Sequence, residues 1–272
     1  MITVESEREV EHSYDSVIEL AEAGLKNLWQ FNEGRLTKGW HGVDSPEEVL
    51  KLASEGWLDE AECAMDIAAE AIESVERDSE VSAFRAVWDV TGCEVDVSRY
   101  LASQPENMID YEIAPTVKSS RVIVLCASVC YSSAISVRNI KRRGHSVAAL
   151  AFALSKLGFA TELWADVSVT GGQYAGRIRV QVKGPNDALD PALIMFAYSH
   201  PSMLRALSLP AMHEWPKRFH KPLRIGSSYG RPIDPKEDLP EGSIYLPAVS
   251  SHKDVPEVQE ILLKYLGELG IL

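Results

Sequence analysis

Two clusters of basic residues are the parts of this sequence best suited to bind an anionic partner. The first is formed by Arg138, Lys141, Arg142 and Arg143, and the second combines Lys217, Arg218, Lys221 and Arg224 with the aromatic residues Trp215 and Phe219. Lysine and arginine neutralise phosphates, and aromatic rings stack on unpaired bases. The sequence therefore predicts contacts to a ligand or to single-stranded DNA or RNA. An alternative stays open, in which these charges keep exposed segments soluble or contact the acidic first part of the chain.

Three histidines and Glu214 are the residues most suited to general-base or metal chemistry. His200, His213 and His220 are separated by 13 and 7 residues, and these spacings match no helical ligand pair such as H-E-x-x-H. A hydrolase built on His200, His213 and Glu214 requires that the side chains meet in one pocket, because proton transfer needs hydrogen-bond distance. We predict no catalytic residue, no metal and no cofactor.

Cys126 and Cys130 have a C-x3-C spacing that a metal ion could use. No second pair or neighbouring histidine completes a tetrahedral ligand set, and a strand followed by a turn does not keep this spacing on one face. Together with Cys63 and Cys93 they are the four cysteines of the chain, too few for the disulfide framework of a secreted scaffold. We interpret all four as reduced thiols, and Cys126 and Cys130 as small core residues.

Two glycine-containing segments resemble active-site loops. Residues 226–230 (GSSYG) match the nucleophile elbow of serine hydrolases, which requires a helix directly after the serine. Pro232 and Pro235 exclude a regular helix there, so we predict a loop. Residues 171–176 (GGQYAG) separate two strands and predict a hairpin turn. No glycine follows the apolar run 121–129 until Gly144, which argues against a glycine-rich nucleotide cradle.

The hydrophobic pattern of the second half predicts the elements that position these residues. Residues 121–129 (RVIVLCASV) form an apolar run typical of a strand covered on both faces, and we interpret it as the central strand of a sheet. At its carboxyl end, where open α/β sheets bind ligands, we predict a polar loop from Arg138 to Gly144 and then a helix over 145–158. Strands over 159–169 and 177–184, helices over 190–215, a strand over 242–250 and a closing helix follow. This order predicts a three-layer α/β sandwich with a mixed, mostly parallel sheet.

Charge and pattern separate the first half of the chain from the second. Residues 1–120 carry 27 acidic and 9 basic side chains, whereas residues 121–272 carry 13 and 18. In the first half we predict a helix from Val10 to about Phe31, a helix capped by Ser45 and Pro46, a helix over 58–75 and a strand over 82–92. Residues 103–120 are typical of a connection. We therefore divide the chain into an acidic, mainly helical lobe (1–118) and an α/β sandwich domain (119–272).

The composition is that of an ordinary globular protein, with 46% apolar and 25% charged residues. No apolar run approaches the ~20 residues needed to cross a bilayer, and the first twenty residues are acidic and unlike a signal peptide. We expect a protein that makes no membrane contact and stays in the cytoplasm. The second half is less basic than a dedicated nucleic-acid binder.

The order of elements from Arg121 to Trp215 resembles a von Willebrand factor A domain. In that family the first strand ends in an Asp-x-Ser-x-Ser metal-adhesion motif. The corresponding positions here are Cys126, Ser128 and Cys130, so two of the three ligands are absent. Because a hard divalent cation needs oxygen donors, the resemblance implies the fold of the family with a degenerate metal motif.

The whole chain also resembles an uncharacterised protein family of tailed bacteriophages. The resemblance is carried by 39–57 (GWHGVDSPEEVLKLASEGW), 95–108 (VDVSRYLASQPENM) and 189–207 (LDPALIMFAYSHPSMLRAL), followed by Glu214. It implies expression inside an infected bacterium and assigns no catalytic residue. We predict a non-enzymatic interaction or adaptor protein that docks to another phage or host protein or assembly. The alternative is a nucleic-acid-binding accessory factor in phage transcription, replication or recombination.

Overall fold

The computed structural model describes residues 2–32, 34–78, 84–92, 94–113, 122–131, 135–234, 239–240, 242–249 and 255–270. The helices are α1 (Val17–Asn32), α2 (Lys38–His41), α3 (Pro46–Glu55), α4 (Leu58–Asp78), α5 (Val97–Leu101), α6 (Val137–Lys156), α7 (Pro191–Ser199), α8 (Leu209–Ala211), α9 (Lys217–His220) and α10 (Val258–Glu268). A π-helical turn (Met203–Ser208) precedes α8, and a 3-10 turn (Met212–Glu214) follows it. Within the described residues, no helix has the length and apolar character needed to span a membrane.

The strands are β1 (Ile2–Glu5), β2 (Glu9–Tyr14), β3 (Phe84–Asp89), β4 (Glu94–Val95), β5 (Met108–Ile113), β6 (Val122–Ser128), β7 (Ala160–Gly171), β8 (Tyr174–Lys183), β9 (Arg231–Pro232) and β10 (Ile244–Leu246). The larger sheet has the order β1-β2-β8-β7-β6-β10, with β9 on the end of β7. β6 is parallel to both β7 and β10, and β2 is parallel to β8. β7 and β8 form the antiparallel hairpin predicted from the turn at Gly171 and Gly172. A mixed α/β fold is therefore confirmed.

The apolar run 121–129 forms strand β6, but it does not lie at the centre of the sheet. β7 lies on one side of β6, and the short edge strand β10 lies on the other. Ile123 and Leu125 are buried as expected. A continuous apolar run indicates that both faces of a strand are covered. It carries no information about the number of strands on either side, so the prediction of a central strand was wrong.

The helix predicted to start at Val10 begins only at Val17. Residues 9–14 form β2, in which Val10, His12 and Tyr14 are buried at every second position. Because the strand runs almost directly into the helix, Val10, Tyr14 and Val17 fall at the spacing of apolar residues on one face of a helix. The helix in fact begins after Ser16, whose hydroxyl accepts a hydrogen bond of 3.1 Å from the backbone N–H of Glu19 and caps α1.

Helix α6 starts at Val137, so the loop predicted from Arg138 to Gly144 is a helix instead. Ser136 caps it by accepting a hydrogen bond from the backbone N–H of Asn139. Arginine and lysine are good helix formers, and their clustering was misread as a loop signal. Gly144 lies inside this helix. A larger residue would not fit there, because α7 is so close that a Cβ at position 144 would lie 2.5 Å from the Cβ of Ser199.

Helices of the first half pack against helices of the second half. α1 contacts the π-helical turn and α8, and α4 contacts α6, α7 and α10. At Gly24 of α1 a Cβ would lie 2.6 Å from the carbonyl oxygen of Leu207. Residues 84–113 contain a second sheet, with the order β3-β5-β4, and helix α5. The division at residue 118 stays a prediction, although β1 and β2 belong to the larger sheet. Of the predicted connection, residues 108–113 form strand β5 instead, and residues 114–120 lie outside the described ranges.

The two faces of the larger sheet differ in chemistry. Val167 and Val169 of β7 lie in the apolar core. On the other face, Arg177 of β8 donates a hydrogen bond of 3.0 Å to Ser168 and lies 3.3 Å from Glu11. Successive side chains of a strand point to opposite faces, so the sheet separates its core from a layer of partly buried ion pairs. The third layer and the von Willebrand factor A-like arrangement stay predictions.

Candidate functional site

Two adjoining cavities open at the edge of the sheet where β6 and β7 end. The first has a volume of about 570 Å³ and the second of about 540 Å³, and Ser228 and Gly230 line both. We call the two cavities together the carboxyl-edge groove. It is lined by Trp40, Cys130, Tyr131, Val167, Val169, Thr170, Gly171, Gly172, Leu204, Arg205, Leu209, Pro222, Arg224, Ser227, Ser228, Tyr229, Gly230, Arg231 and Pro232.

The position of the groove follows from the order of the strands. After β6 the chain passes through α6 to β7 on one side, and β10 later pairs with the opposite side of β6. Cys130 and Tyr131 therefore emerge where the direction of strand order reverses. Open α/β sheets bind ligands at such points, outside the carboxyl ends of the strands. The groove lies where this fold class places a binding site.

Arg205 is the charged group most enclosed by the groove. It lies in the π-helical turn, a type of distortion that is frequent at functional sites. Its guanidinium donates a hydrogen bond of 2.8 Å to the carbonyl of Trp40 and lies 3.8 Å from the centre of the Trp40 ring. Burial lowers the pKa of Arg205, and no carboxylate of the described residues lies within ion-pair distance. The cation is thus partly removed from water without a counter-charge.

Two further guanidinium groups belong to the second cavity. Arg224 lies in the loop after α9, and Arg231 lies in β9, where it pairs with Thr170 of β7. Both side chains are exposed, and neither has an ion-pair partner among the described carboxylates. The groove therefore carries three arginines whose charges the rest of the described chain does not neutralise.

The loop over residues 221–230 has an unusual backbone. Arg224 and Tyr229 adopt positive φ angles of 53° and 54°, a region that non-glycine residues rarely occupy and that concentrates at functional sites. The conformation is held by a hydrogen bond of 2.9 Å from Ile225 N–H to the His220 carbonyl, and by one of 3.0 Å between the Tyr229 hydroxyl and His213 Nε2. The GSSYG segment is a loop, as predicted, and no helix follows Ser228. The loop is a fixed wall of the groove.

Three of the four basic residues of the first predicted cluster contact other parts of the protein. Lys141 pairs with Glu60, and Arg142 pairs with Glu257 at 2.7 Å. Arg143 is buried and donates a hydrogen bond of 2.9 Å to the carbonyl of Pro247, while Arg138 is exposed. Because Lys141 contacts an acidic residue of the first half, this contact agrees with the alternative that the charges connect the two parts of the chain.

The second predicted cluster contributes one residue to the groove, Arg224. Arg218 pairs with Glu5 and donates a hydrogen bond of 2.7 Å to the carbonyl of Ser6, and Lys217 and Lys221 are exposed outside the groove. Trp215 and Phe219 are only 2% and 0% exposed. Buried rings cannot stack on a base, so the proposed aromatic role of these two residues was wrong.

Sequence reasoning missed Arg205, Arg231 and Trp40. Trp40 and Arg205 are 165 residues apart, and no local pattern connects them. The available signal was weak: an isolated tryptophan beside Lys38 and Gly39 in a segment with little other apolar character. Trp40 is 44% exposed, so its ring can contact a ligand.

The three histidines do not meet around Glu214. The rings of His213 and His220 are 6.0 Å apart, but His200 Nδ1 lies 2.7 Å from the hydroxyl of Ser202, and Glu214 pairs with Lys26 at 3.2 Å. Burial lowers the pKa of His200 to about 4, so it is neutral at physiological pH. The arrangement provides no histidine–carboxylate pair for hydrolysis among these residues.

The positions that correspond to the degenerate metal motif are all buried. Cys126 and Cys130 are core thiols, and burial raises the pKa of Cys130 to about 12. Ser128 accepts a hydrogen bond of 3.3 Å from the backbone of Cys130 and lies opposite Asp166 in the β6–β7 pair. Asp166 in turn accepts hydrogen bonds from Ser168 and Tyr245, at 2.9 and 3.3 Å. Its oxygens are occupied by protein donors.

One protein family matches the chain over almost its whole length. The sequence model of a family described as a domain of unknown function (DUF7192) matches residues 3–272. No curated protein and no solved structure shows a significant match. The resemblances to a bacteriophage family and to von Willebrand factor A domains stay predictions.

Proposed function

The chain belongs to the DUF7192 family, whose function is unknown, and we propose that it is a ligand-binding protein that holds a nucleotide in the carboxyl-edge groove. The observation that carries this proposal is the set of three arginines, Arg205, Arg224 and Arg231, that line the groove without a described carboxylate partner. The chain has a net charge of −13, so a group of three arginines without a carboxylate partner among the described residues favours an anionic ligand at this place.

A phosphate group fits these cations. Guanidinium groups bind phosphate through two parallel hydrogen bonds, and the hydroxyls of Ser227 and Ser228 lie at the same site. Partial burial of Arg205 strengthens its attraction for an anion, because fewer water molecules compete. These donors replace the glycine-rich cradle that the sequence lacks.

The rest of the ligand is set by the shape and lining of the groove. Each cavity has a volume typical of small-molecule sites. Trp40 offers an exposed ring beside Arg205, and aromatic rings stack on bases. A phosphate and a planar base on one small molecule describe a nucleotide.

Isothermal titration calorimetry with nucleoside mono-, di- and triphosphates and with inorganic pyrophosphate tests the proposal. We expect saturable binding that strengthens with the number of phosphates. Each of the variants R205Q and R231Q should weaken it by about tenfold or more, since a hydrogen bond to a charged group contributes about 1.5–3 kcal/mol. R138Q is the matched control, because Arg138 is exposed and does not line the groove.

Two results would reject nucleotide binding: no heat change with any of these compounds at low salt, or equal affinity in R205Q and the parent protein. A gel shift with single- and double-stranded oligonucleotides tests the nucleic-acid alternative. If oligonucleotides bind tightly with a steep salt dependence while mononucleotides do not, several phosphates are contacted, and the accessory-factor prediction replaces ours.

Docking to another phage or host protein is a second candidate, favoured by exposed apolar side chains. The three-stranded sheet, its connecting loops and α5 expose Trp88, Val90, Val95, Val97, Tyr100 and Leu101 to between 40% and 76%. Exposed apolar patches of this kind mark protein contacts. A partner captured by the parent chain after nuclease treatment should be lost with Leu101→Glu, whereas nucleotide binding should not change. Capture that is unaffected by Leu101→Glu rejects this surface.

A further inference from the structure

A mixed set of metal-ligand atoms lies between helices α4 and α6, away from the residues of the groove. Glu60 and Cys63 of α4 and His145 of α6 each present one donor atom, and the three atoms lie within 4.8 Å of one another. Glu60 and Cys63 are three residues apart, so they occupy the same face of α4. That face meets α6, because the two helices pack together.

His145 presents a ring nitrogen that the protein leaves unsatisfied. The residue is 8% exposed, and its Nε2 is buried without a hydrogen-bond partner among the described residues. Glu60, a residue of the same cluster, places its Oε1 3.2 Å away. Buried polar atoms rarely lack partners, and this one points to a missing ligand.

The two oxygens of Glu60 have separate surroundings. Oε2 is bound by Lys141, and Oε1 faces His145. Lys141 is itself held over the Trp57 ring, 4.6 Å from the ring centre. A carboxylate that is fixed through one oxygen holds the other oxygen in a defined direction. Residues outside the ligand shell of a metal site orient the ligands in this way. Lys141 therefore orients Glu60 without occupying the donor atom that faces the site.

We propose that Glu60, Cys63 and His145 bind a zinc ion. One sulfur, one imidazole nitrogen and one carboxylate oxygen are ligands that zinc accepts at about 2.0–2.3 Å, which places neighbouring ligand atoms about 3.3–3.8 Å apart in a tetrahedron. Small side-chain adjustments bring the three donors to these separations. Thiolate and imidazole select zinc over calcium or magnesium, which prefer oxygen. Cys63 is exposed, so the fourth position is open to water, and the ion ties α4 to α6.

Cobalt substitution gives a direct test on the full-length chain. After dialysis against a chelator, Co²⁺ should produce a thiolate charge-transfer band with one ion bound per chain, and Zn²⁺ should displace it, whereas Mg²⁺ should not. The variant C63S should abolish the band, and H145Q should weaken Co²⁺ binding by about tenfold or more. E62Q is the matched control, because Glu62 is an exposed carboxylate of the same helix, and it should bind Co²⁺ like the parent.

Loss of the metal site can be distinguished from loss of the folded structure. Cys63 is exposed, so C63S should keep the circular dichroism spectrum and melting temperature of the metal-free parent. A charge-transfer band of equal intensity in C63S, or the absence of any band in the folded parent chain, overturns the site. Nucleotide binding measured on the same samples is independent of this result, since Glu60, Cys63 and His145 do not line the groove.

Discussion

The guanidinium of Arg205 lies over the ring of Trp40, 3.8 Å from its centre, and also donates a hydrogen bond to the Trp40 carbonyl. The contact joins α2, near the start of the chain, to the π-helical turn in the second half. It holds a partly buried cation at the mouth of a cavity and leaves part of the ring exposed. One residue pair thus offers both a charge for phosphate and a surface for a base.

Trp40→Ala separates these two contributions. Removing the ring should weaken nucleotide binding by about tenfold or more, because stacking on an aromatic side chain contributes about 1–3 kcal/mol per base. Binding of inorganic pyrophosphate, which has no base, should decrease much less. Parallel calorimetric titrations of the two ligands measure the difference. Equal losses for both would mean that Trp40 acts only by supporting Arg205.

Asp166 should make stability depend on pH. Burial raises the pKa of this carboxyl group from 3.8 to about 6, so the native state binds the proton more tightly than the unfolded chain. Its contribution is therefore most favourable below about pH 4, falls as the pH rises through about 6, and stays low above that value. The total change is roughly 3 kcal/mol.

Asp166→Asn removes the titration and isolates this effect. The free energy of unfolding in urea, measured for both proteins between pH 4 and 8, should show the parent losing stability relative to the variant as the pH rises. A difference between the two proteins that stays constant over this range contradicts the assignment.

Two helical glycines should respond to alanine with opposite signs. At Gly24 of α1 a Cβ would lie 2.6 Å from a backbone oxygen of Leu207, whereas at Gly267 of α10 it meets nothing within 4 Å. Gly24→Ala should destabilise the protein by about 1–3 kcal/mol through overpacking. Gly267→Ala should stabilise it by about 0.5–1 kcal/mol through helix propensity. Thermal unfolding of both variants measures the signs, and a stabilising Gly24→Ala would contradict the close approach of α1.

Asp190 should contribute to stability as a helix cap. Its carboxylate accepts hydrogen bonds from the backbone N–H groups of Ala192 and Leu193, at 2.9 and 3.2 Å. Asp190→Ala should cost about 0.5–2 kcal/mol, whereas Asp190→Asn, which keeps an acceptor oxygen, should cost little. Chemical denaturation of the two variants compares them directly. Equal losses in both would show that the charge, and not the cap, is what matters.

Local signals in the sequence predicted local structure well. Ser45 with Pro46 and Asp190 with Pro191 begin helices as expected, because a cap needs only neighbouring residues. The β7–β8 hairpin was predicted for the same reason. By contrast, β2 pairs with a strand far along the chain, and its residues were predicted to be part of a helix. Pairing with so distant a strand cannot be recognised from a short window of sequence.

The candidate site was harder to predict than the fold. The basic clusters were recognised by local density of charge, but density does not show which charges are already paired. Arg142 pairs with Glu257, and Arg143 is buried and donates a hydrogen bond to the carbonyl of Pro247. Arg205, by contrast, lines the groove and is not paired with a carboxylate of the described residues. Ion pairs and burial that depend on distant parts of the chain decide which cation is available to a ligand, and only the folded chain reveals them.

The pairing of β2 with β8 also has a consequence during synthesis. Glu9 lies beside Ala175 and Tyr14 beside Val180, so β2 cannot pair until β8 has left the ribosome. Contacts between residues so far apart in the sequence slow folding. Val10 and Tyr14 stay exposed to solvent until β2 has paired. The nascent chain is therefore most vulnerable to aggregation before the hairpin emerges.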